Sequence, residues 1–369
     1  MSKSGQQRNT PTGQHGLRTS SPRDLSGVLV VDKPEGPTSH DVVTLTRRVL
    51  GVSRIGHTGT LDPMATGVLP LVIGRATRLA QFLTASDKTY EATIAFGRTT
   101  DTYDARGREV ARCAERPTRE QLDAAVANFR GEFQQTPPAY SAKNIDGERS
   151  YELARAAERR GRRAGADPAA PIRPKAVTVA TRDLEVTSFD GDTARLSMTV
   201  TAGFYVRSLA HDLGEALGCG AVLVALRRTR SGEFGLDPAV PLAELLESPS
   251  ENLATRILPM SALLRDLPAV TLRDAAALER LKNGVEMGPS DLVTAALDTP
   301  QTAAAAPEAH TAAGAPEAPD TAAAAPEAPQ ERRAPRDLIV RLMGPDGDLV
   351  GLAKPGKTHG FLHGWVVLG

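Results

Sequence analysis

Residues Gly56-His57-Thr58-Gly59-Thr60-Leu61-Asp62-Pro63-Met64-Ala65-Thr66-Gly67 carry three glycines and one proline within twelve positions. That composition excludes a helix interior and makes a poor strand. The segment runs straight into Val68-Leu69-Pro70-Leu71-Val72-Ile73, an apolar run of strand length. A loop held at the end of a buried strand presents a side chain from a rigid base. The side chain on offer is Asp62, with His57 five residues before it. Taken alone, an Asp before Pro is also a common turn starter whose carboxylate satisfies a nearby backbone N–H. Both readings stand on this loop by itself.

Upstream, Gly27-Val28-Leu29-Val30-Val31 predicts a strand that leads into Asp32-Lys33-Pro34-Glu35-Gly36-Pro37. Thr38, three residues before Asp41, predicts a capped helix start, and Gly51 its end, with Val42, Leu45, Val49 and Leu50 at helical spacing. Downstream, Arg75 to Thr84 reads as a short helix and Asp87 to Gly97 as a strand with Tyr90 at its start. Thr118 and Gln121 open a further helix to about Phe129, and Pro137-Pro138 fixes an extended path after it. Ser150 to Arg163 is a strongly basic helix that either faces an RNA backbone or is merely solvated. Lys175 to Ser188 and Thr193 to Thr201 flank the turn Asp190-Gly191-Asp192; Leu196, Met198 and Val200 alternate there with Arg195, Ser197 and Thr199, the period of a half-buried antiparallel strand. Val222 to Arg230 is one more strand. The mixed order predicts an α+β domain around one mostly antiparallel sheet.

Several of these segments resemble the TruB family of tRNA pseudouridine synthases. The Asp62 loop fits the family's G-H-[ST]-G-x-L-D-P-x-A-[ST]-G context, and Asp32 to Ser39 resembles its D-K-P-x-G-x-[ST]-S motif. Asp87-Lys88-Thr89-Tyr90 fits D-K-x-Y, and Gln135 to Lys143 also resembles the family. Gly203-Phe204-Tyr205-Val206-Arg207-Ser208-Leu209-Ala210-His211-Asp212-Leu213-Gly214 fits G-x-Y-[IV]-R-[ST]-L-x-x-D-L-G. Many members have Lys-Gly-Thr before that Tyr where this chain has Ala202-Gly203-Phe204, which removes one possible phosphate contact. The resemblance covers about residues 26–235 and implies the pseudouridine synthase fold.

It further implies conversion of the uridine at position 55, in the T loop of tRNA, to pseudouridine. That reaction breaks the N1–C1′ bond, turns the base and rejoins it through C5, with no redox change, so no cofactor or metal is expected. Asp62 would be the nucleophile, at the base or at the sugar, with Arg207 holding it ionised and aimed. Tyr90 would stack on the extracted base, and Tyr205 and Leu226 would line the rest of the pocket. His57 would fill the space the base vacates or steady the RNA loop; as an alternative it is a satisfied turn histidine. Lys33 would touch phosphate or brace the loop, against its plain reading as an exposed turn residue. Two other readings compete: an RNA-binding protein of the same fold that helps tRNA fold, and a glycosidic hydrolase. The hydrolase needs a second carboxylate as proton donor, and Asp212 is the only nearby candidate in the motifs.

At 369 residues the chain predicts two domains. Residues 1–230 hold 33 Lys and Arg against 25 Asp and Glu, and residues 231–369 hold 11 against 19, so the first part fits a polyanion-binding surface or a set of solvated Arg-rich faces. Residues 1–25 predict a disordered basic tail without the apolar core of a signal peptide. Residues 26–257 would be the catalytic domain and 258–369 a small RNA-binding barrel resembling a PUA domain. Leu267 to Val270 and Leu281 to Val285 would open that barrel, and Asp337 to Leu342 and Leu349 to Ala353 would close it. T-A-A-[AG]-A-P-E-A recurs from Thr302, Thr311 and Thr321, and Pro307, Pro316 and Pro326 break any helix, predicting a disordered insertion at about 298–335. Cys113 and Cys219 show no metal or disulfide spacing, and no run is long enough to span a membrane. The expectation is a cytoplasmic monomer whose partner is the T arm of tRNA, with no protein partner.

Overall fold

The computed structural model describes residues 25–141, 144–145, 148–150, 156, 174–293 and 339–368. The basic tail, nearly all of the 150–163 helix and the Ala-Pro-Glu repeat lie outside these residues. The described part is built on a ten-stranded sheet. In spatial order its main path runs Val240–Pro241, Gly27–Lys33, Thr66–Ile73, Ala221–Ser231, Lys88–Phe96, Thr193–Val200, Val177–Phe189 and Gly131–Gln135. Ile55–His57 pairs on the side of Thr66–Ile73, and Leu258–Pro259 on that of Gly27–Lys33. Only the Gly27–Lys33 pairing with Val240–Pro241 and the Ala221–Ser231 pairing with Thr66–Ile73 are parallel. The sheet is therefore mostly antiparallel, as the α+β reading expected.

Local chemistry sets the helix ends. Thr38 Oγ1 accepts from the Asp41 N–H at 3.1 Å and the Asp41 carboxylate accepts from the Thr38 N–H at 2.8 Å, closing a capping box on Ser39–Leu50. Gly51 ends that helix in the left-handed conformation. Thr118 and Gln121 make the same box for Arg119–Ala127. The segment expected as one short helix at 75–84 is a 3-10 turn, Gly74–Leu79, followed by Ala80–Thr84. Asp190 Oδ1 accepts from the Asp192 and Thr193 N–H groups, which fixes the turn between the two long strands.

Both faces of the central strands are covered. Leu29, Val31, Leu69, Leu71 and Ile73 join the large core with Tyr90, Ile94, Leu196, Met198 and Leu209. Val28, Val30, Val68 and Val72 face the other way, into a second core with Leu79, Leu83, Met260 and Leu263. Burial on both sides explains why residues 68–73 read as an uninterrupted apolar run.

Leu258 and Pro259, just past the expected boundary, still pair with Val28 and Gly27 in the central sheet. The C-terminal sheet begins at Ala269–Thr271 and continues through Val340–Met343, Leu349–Pro355 and Leu362–Val367. Leu281 and Lys282 end the helix Ala275–Lys282, which Asp274 caps. Ile339, Leu349, Leu352 and Leu368 enter the second core, so the C-terminal sheet docks on the back of the central one. Arg75 and Arg78 donate to the carbonyls of Leu368 and Val367, at 3.3 and 2.5 Å, and the Phe82 ring meets Trp365 edge-on at 5.1 Å. No helix among the described residues is long and apolar enough to cross a membrane.

Candidate active site

The Asp62 loop is fastened at both ends and in the middle. Leu61, Met64 and Ala65 are buried in the large core, which turns Asp62 outward with about a third of its side chain exposed. Ser39 clamps the backbone of Leu61 from both sides: its Oγ accepts from the Leu61 N–H at 2.8 Å and donates to the Leu61 carbonyl at 3.0 Å. The Gly36 N–H donates to the Pro63 carbonyl and the Thr58 N–H to the Pro70 carbonyl. Arg228, 1% exposed, donates to the carbonyls of Val68 (2.7 Å) and Gly59 (3.0 Å). A buried guanidinium spending its donors on loop carbonyls makes this loop part of the core.

Gly67 has a specific reason to be glycine. Its φ is +102°, and a Cβ there would sit 2.1 Å from the Arg228 carbonyl oxygen on the neighbouring strand. Gly67→Ala therefore combines a left-handed L residue, about 1–2 kcal/mol, with overpacking, about 1–3 kcal/mol. The expected loss is about 2–5 kcal/mol of stability, read as a lowered thermal midpoint. A variant that melts with the wild type would disprove this account of the close approach.

Arg207 meets Asp62 side-on. It lies in the first turn of the helix Val206–Ala216, where its Nε is 2.9 Å from Asp62 Oδ2 and its Nη2 3.3 Å from Oδ1. The remaining donors are also used: Nη2 to the Tyr140 carbonyl at 2.8 Å and Nη1 to the Thr102 carbonyl at 3.1 Å. The Asp104 carboxylate lies 3.9 Å from Nη1. The guanidinium side chain is 7% exposed, so it is a fixed fork behind a carboxylate that still faces solvent. Gln135, fully buried, holds the start of this helix by donating to the Tyr205 carbonyl (3.1 Å) and accepting from its N–H (2.8 Å). Ser208 Oγ donates to the Thr136 carbonyl.

The other expected residues divide. Tyr205 shares the site: burial raises the pKa of its hydroxyl, Arg207 pulls it down and Asp62 pushes it up. Tyr90 and Leu226 lie in the large core with the buried part of the loop, each 8% exposed. Tyr90 pairs with Arg228 across the adjacent strands and Leu226 with Ala92. Lys33 is fully buried and donates to the Pro34 carbonyl at 2.8 Å, which overturns its reading as an exposed turn residue. Burial and then Arg106 lower its pKa to about 8, opposed by Asp62 and Glu35, so its ammonium belongs to the electrostatics of the Asp62 loop. His57 sits at the far end of that loop, where its Nδ1 accepts weakly from the Gly59 N–H at 3.4 Å. Burial, then Arg228 and His40, lower its pKa, which favours the neutral ring.

Thr102, Asp104 and Arg228 bear on the site without any motif signal of their own, and Gln135, at the start of a family-like segment, is not singled out by it. Asp104 is a carboxylate beside Arg207 that the motif reading lacked, but it is engaged as an acceptor from the Thr102 hydroxyl (2.8 Å) and the Arg106 N–H (3.0 Å). That engagement suits a loop brace better than the proton donor a hydrolase requires.

Known proteins resemble this chain in sequence and in fold. Residues 47–206 match the TruB family pseudouridylate synthase (N terminal domain), and residues 207–265 match the tRNA pseudouridylate synthase B C-terminal domain. The chain is 48% identical over 262 residues to a tRNA pseudouridine synthase B of Solibacter usitatus, covering 70% of this chain and 85% of that one. It is 43% identical over 272 residues to the protein of the same name from an Azoarcus species, covering 73% and 86%. Among solved structures it is similar to a chain of an H/ACA RNP bound to a substrate RNA containing 2'-deoxyuridine. The TM-score there is 0.61 at 23% identity, covering 94% of this chain and 86% of that one, a likeness of fold. Sequence, sheet and relatives lead to one assignment: the chain belongs to the TruB family and is a tRNA pseudouridine synthase, an isomerase that converts uridine in tRNA to pseudouridine.

Proposed function

We propose that the uridine converted is the one at position 55 in the T loop, flipped from its stack, and that Asp62 attacks it as nucleophile. The observation that carries this reading is the half-open Asp62 carboxylate held side-on by a buried Arg207 with every other guanidinium contact on backbone or Asp104. A charge-assisted, side-on pair of this kind keeps the carboxylate aimed, which a nucleophile at C1′ or C6 requires. Extracting the base costs a few kcal/mol, offset by a pocket in which Tyr90 stacks on the base and Tyr205 and Leu226 line its edges. Neutral His57 steadies the RNA loop at the far end, and Lys33 braces the Asp62 loop from beneath. The C-terminal sheet, docked on the back of the catalytic domain, reaches along the acceptor stem as a PUA-like RNA-binding module. The enzyme works as a cytoplasmic monomer on the T arm and needs no cofactor.

The experiment is position-specific detection of pseudouridine in an unmodified elongator tRNA transcript. Conversion is expected at position 55 alone, and a transcript with cytidine at that position should bind but gain no pseudouridine. Conversion at another uridine in place of position 55 would refute the assignment of the substrate.

A further inference from the structure

Three consecutive residues outside the recognised motifs reach the helix that carries Arg207. The Thr102 carbonyl and the Asp104 carboxylate both approach Arg207 Nη1, at 3.1 and 3.9 Å. Between them Tyr103 has φ +64°, a left-handed conformation that a bulky L residue rarely adopts. Its ring, 7% exposed, lies on that of His211 with centroids 3.9 Å apart and planes 7° from parallel. His211 is four residues after Arg207 in the helix Val206–Ala216, one turn along the same face. The loop thus grips one helix face at two successive turns, by polar contacts at Arg207 and by a ring stack at His211. Its backbone is tied to the neighbouring strand, since the Leu223 N–H donates to the Tyr103 carbonyl and the Ala105 N–H to the Leu223 carbonyl.

We propose that the Tyr103–His211 stack is a positioning device for the reaction: it holds the left-handed turn that aims Thr102 and Asp104 at Arg207, and through Arg207 orients Asp62. The left-handed residue reverses the chain so that the carbonyl before it and the carboxylate after it converge on one nitrogen. An unstacked side chain at 103 would favour relaxation of that turn. Arg207 would then keep Asp62 but lose the two contacts that fix the tilt of its fork. Tyr103 and His211 touch neither substrate nor reacting atoms in this account, so they are positioning residues. The inference rests on the reading of Asp62 as the nucleophile and Arg207 as its partner.

The test measures the single-turnover rate of pseudouridine formation at saturating enzyme, tRNA affinity and thermal midpoint for Tyr103→Phe, Tyr103→Ala, His211→Ala and the double alanine variant, with Asp62→Asn as control. Tyr103→Ala and His211→Ala should each slow isomerisation by about 10- to 100-fold, the scale of a small misplacement at a reacting centre. Their tRNA Kd should match the wild type. The double variant should be no slower than the slower single, because both act through one contact, and Tyr103→Phe, which keeps the stacked ring, should retain the wild-type rate. Should Tyr103→Ala fail to fold, His211→Ala probes the same stack from a helix position where alanine is well tolerated. A folded variant lacking the stack with the wild-type rate, or a loss confined to Kd, or a multiplicative double loss, would overturn the proposal. If Asp62→Asn is inactive while both single variants react normally, this inference alone fails; if Asp62→Asn is active, the underlying reading of the site fails with it.

Discussion

Asp62→Asn should abolish pseudouridine formation, by about 10⁴- to 10⁶-fold, the range seen when a covalent nucleophile is removed. The amide has the shape of the carboxylate but neither its charge nor its nucleophilicity. The protein should still fold, because Leu61, Met64 and Ala65 anchor the loop in the core and Ser39, Gly36 and Arg228 hold its backbone. Arg207 would keep its bonds to the Thr102 and Tyr140 carbonyls and its neighbour Asp104, so its charge is not stranded. RNA affinity, which rests on phosphate contacts and shape over a wide surface, should be retained. The assay is single-turnover conversion of an unmodified transcript beside a binding titration of the same variant. Retained activity would sink the nucleophile assignment. Binding without activity in the wild type as well would favour a protein that only helps tRNA fold.

Arg207→Lys carries the second largest expected effect, a rate lower by about 10²- to 10³-fold, comparable to removing a preorganised donor from an active site. The charge survives this substitution, so a purely Coulombic role would leave the enzyme nearly intact. A single ammonium cannot reproduce the planar fork that meets both Asp62 oxygens while donating to Thr102 and Tyr140. The loss should therefore fall on the rate of the chemical step, with tRNA affinity kept. Near-normal turnover would show that attraction alone, without the side-on geometry, suffices for catalysis.

Much of the site is legible in the chain because its constraints are local. Glycines at 56, 59 and 67 and a proline at 63 specify a rigid loop, and the apolar run from Val68 marks the buried strand behind it. Thr38 with Asp41 and Thr118 with Gln121 announce helix starts that the structure confirms by both bonds of each box. The α+β class follows from strand periods that need no partner to be recognised. The spacing within Tyr205-Val206-Arg207 places both side chains at one helix start, beside the tied end of the strand Gly131–Gln135.

What the chain alone leaves undetermined depends on register between distant strands. Arg228 reads as one more arginine in a basic strand, yet the parallel pairing of Arg228 with Gly67 buries it under the Asp62 loop. Lys33 reads as a turn lysine, and only the packing of its strand between two others takes it out of water. Thr102, Tyr103 and Asp104 acquire their relation to Arg207 from a loop that folds across more than a hundred residues of sequence. Residue type and spacing determined the rigid loop that carries Asp62 and the class of fold, because glycine, proline and hydrophobic period act within a few residues, while the choice of Asp62 as candidate nucleophile came from the family resemblance. Tertiary structure decided which charges are buried and what aims them, because burial and side-on pairing exist only once strands far apart in the chain lie side by side.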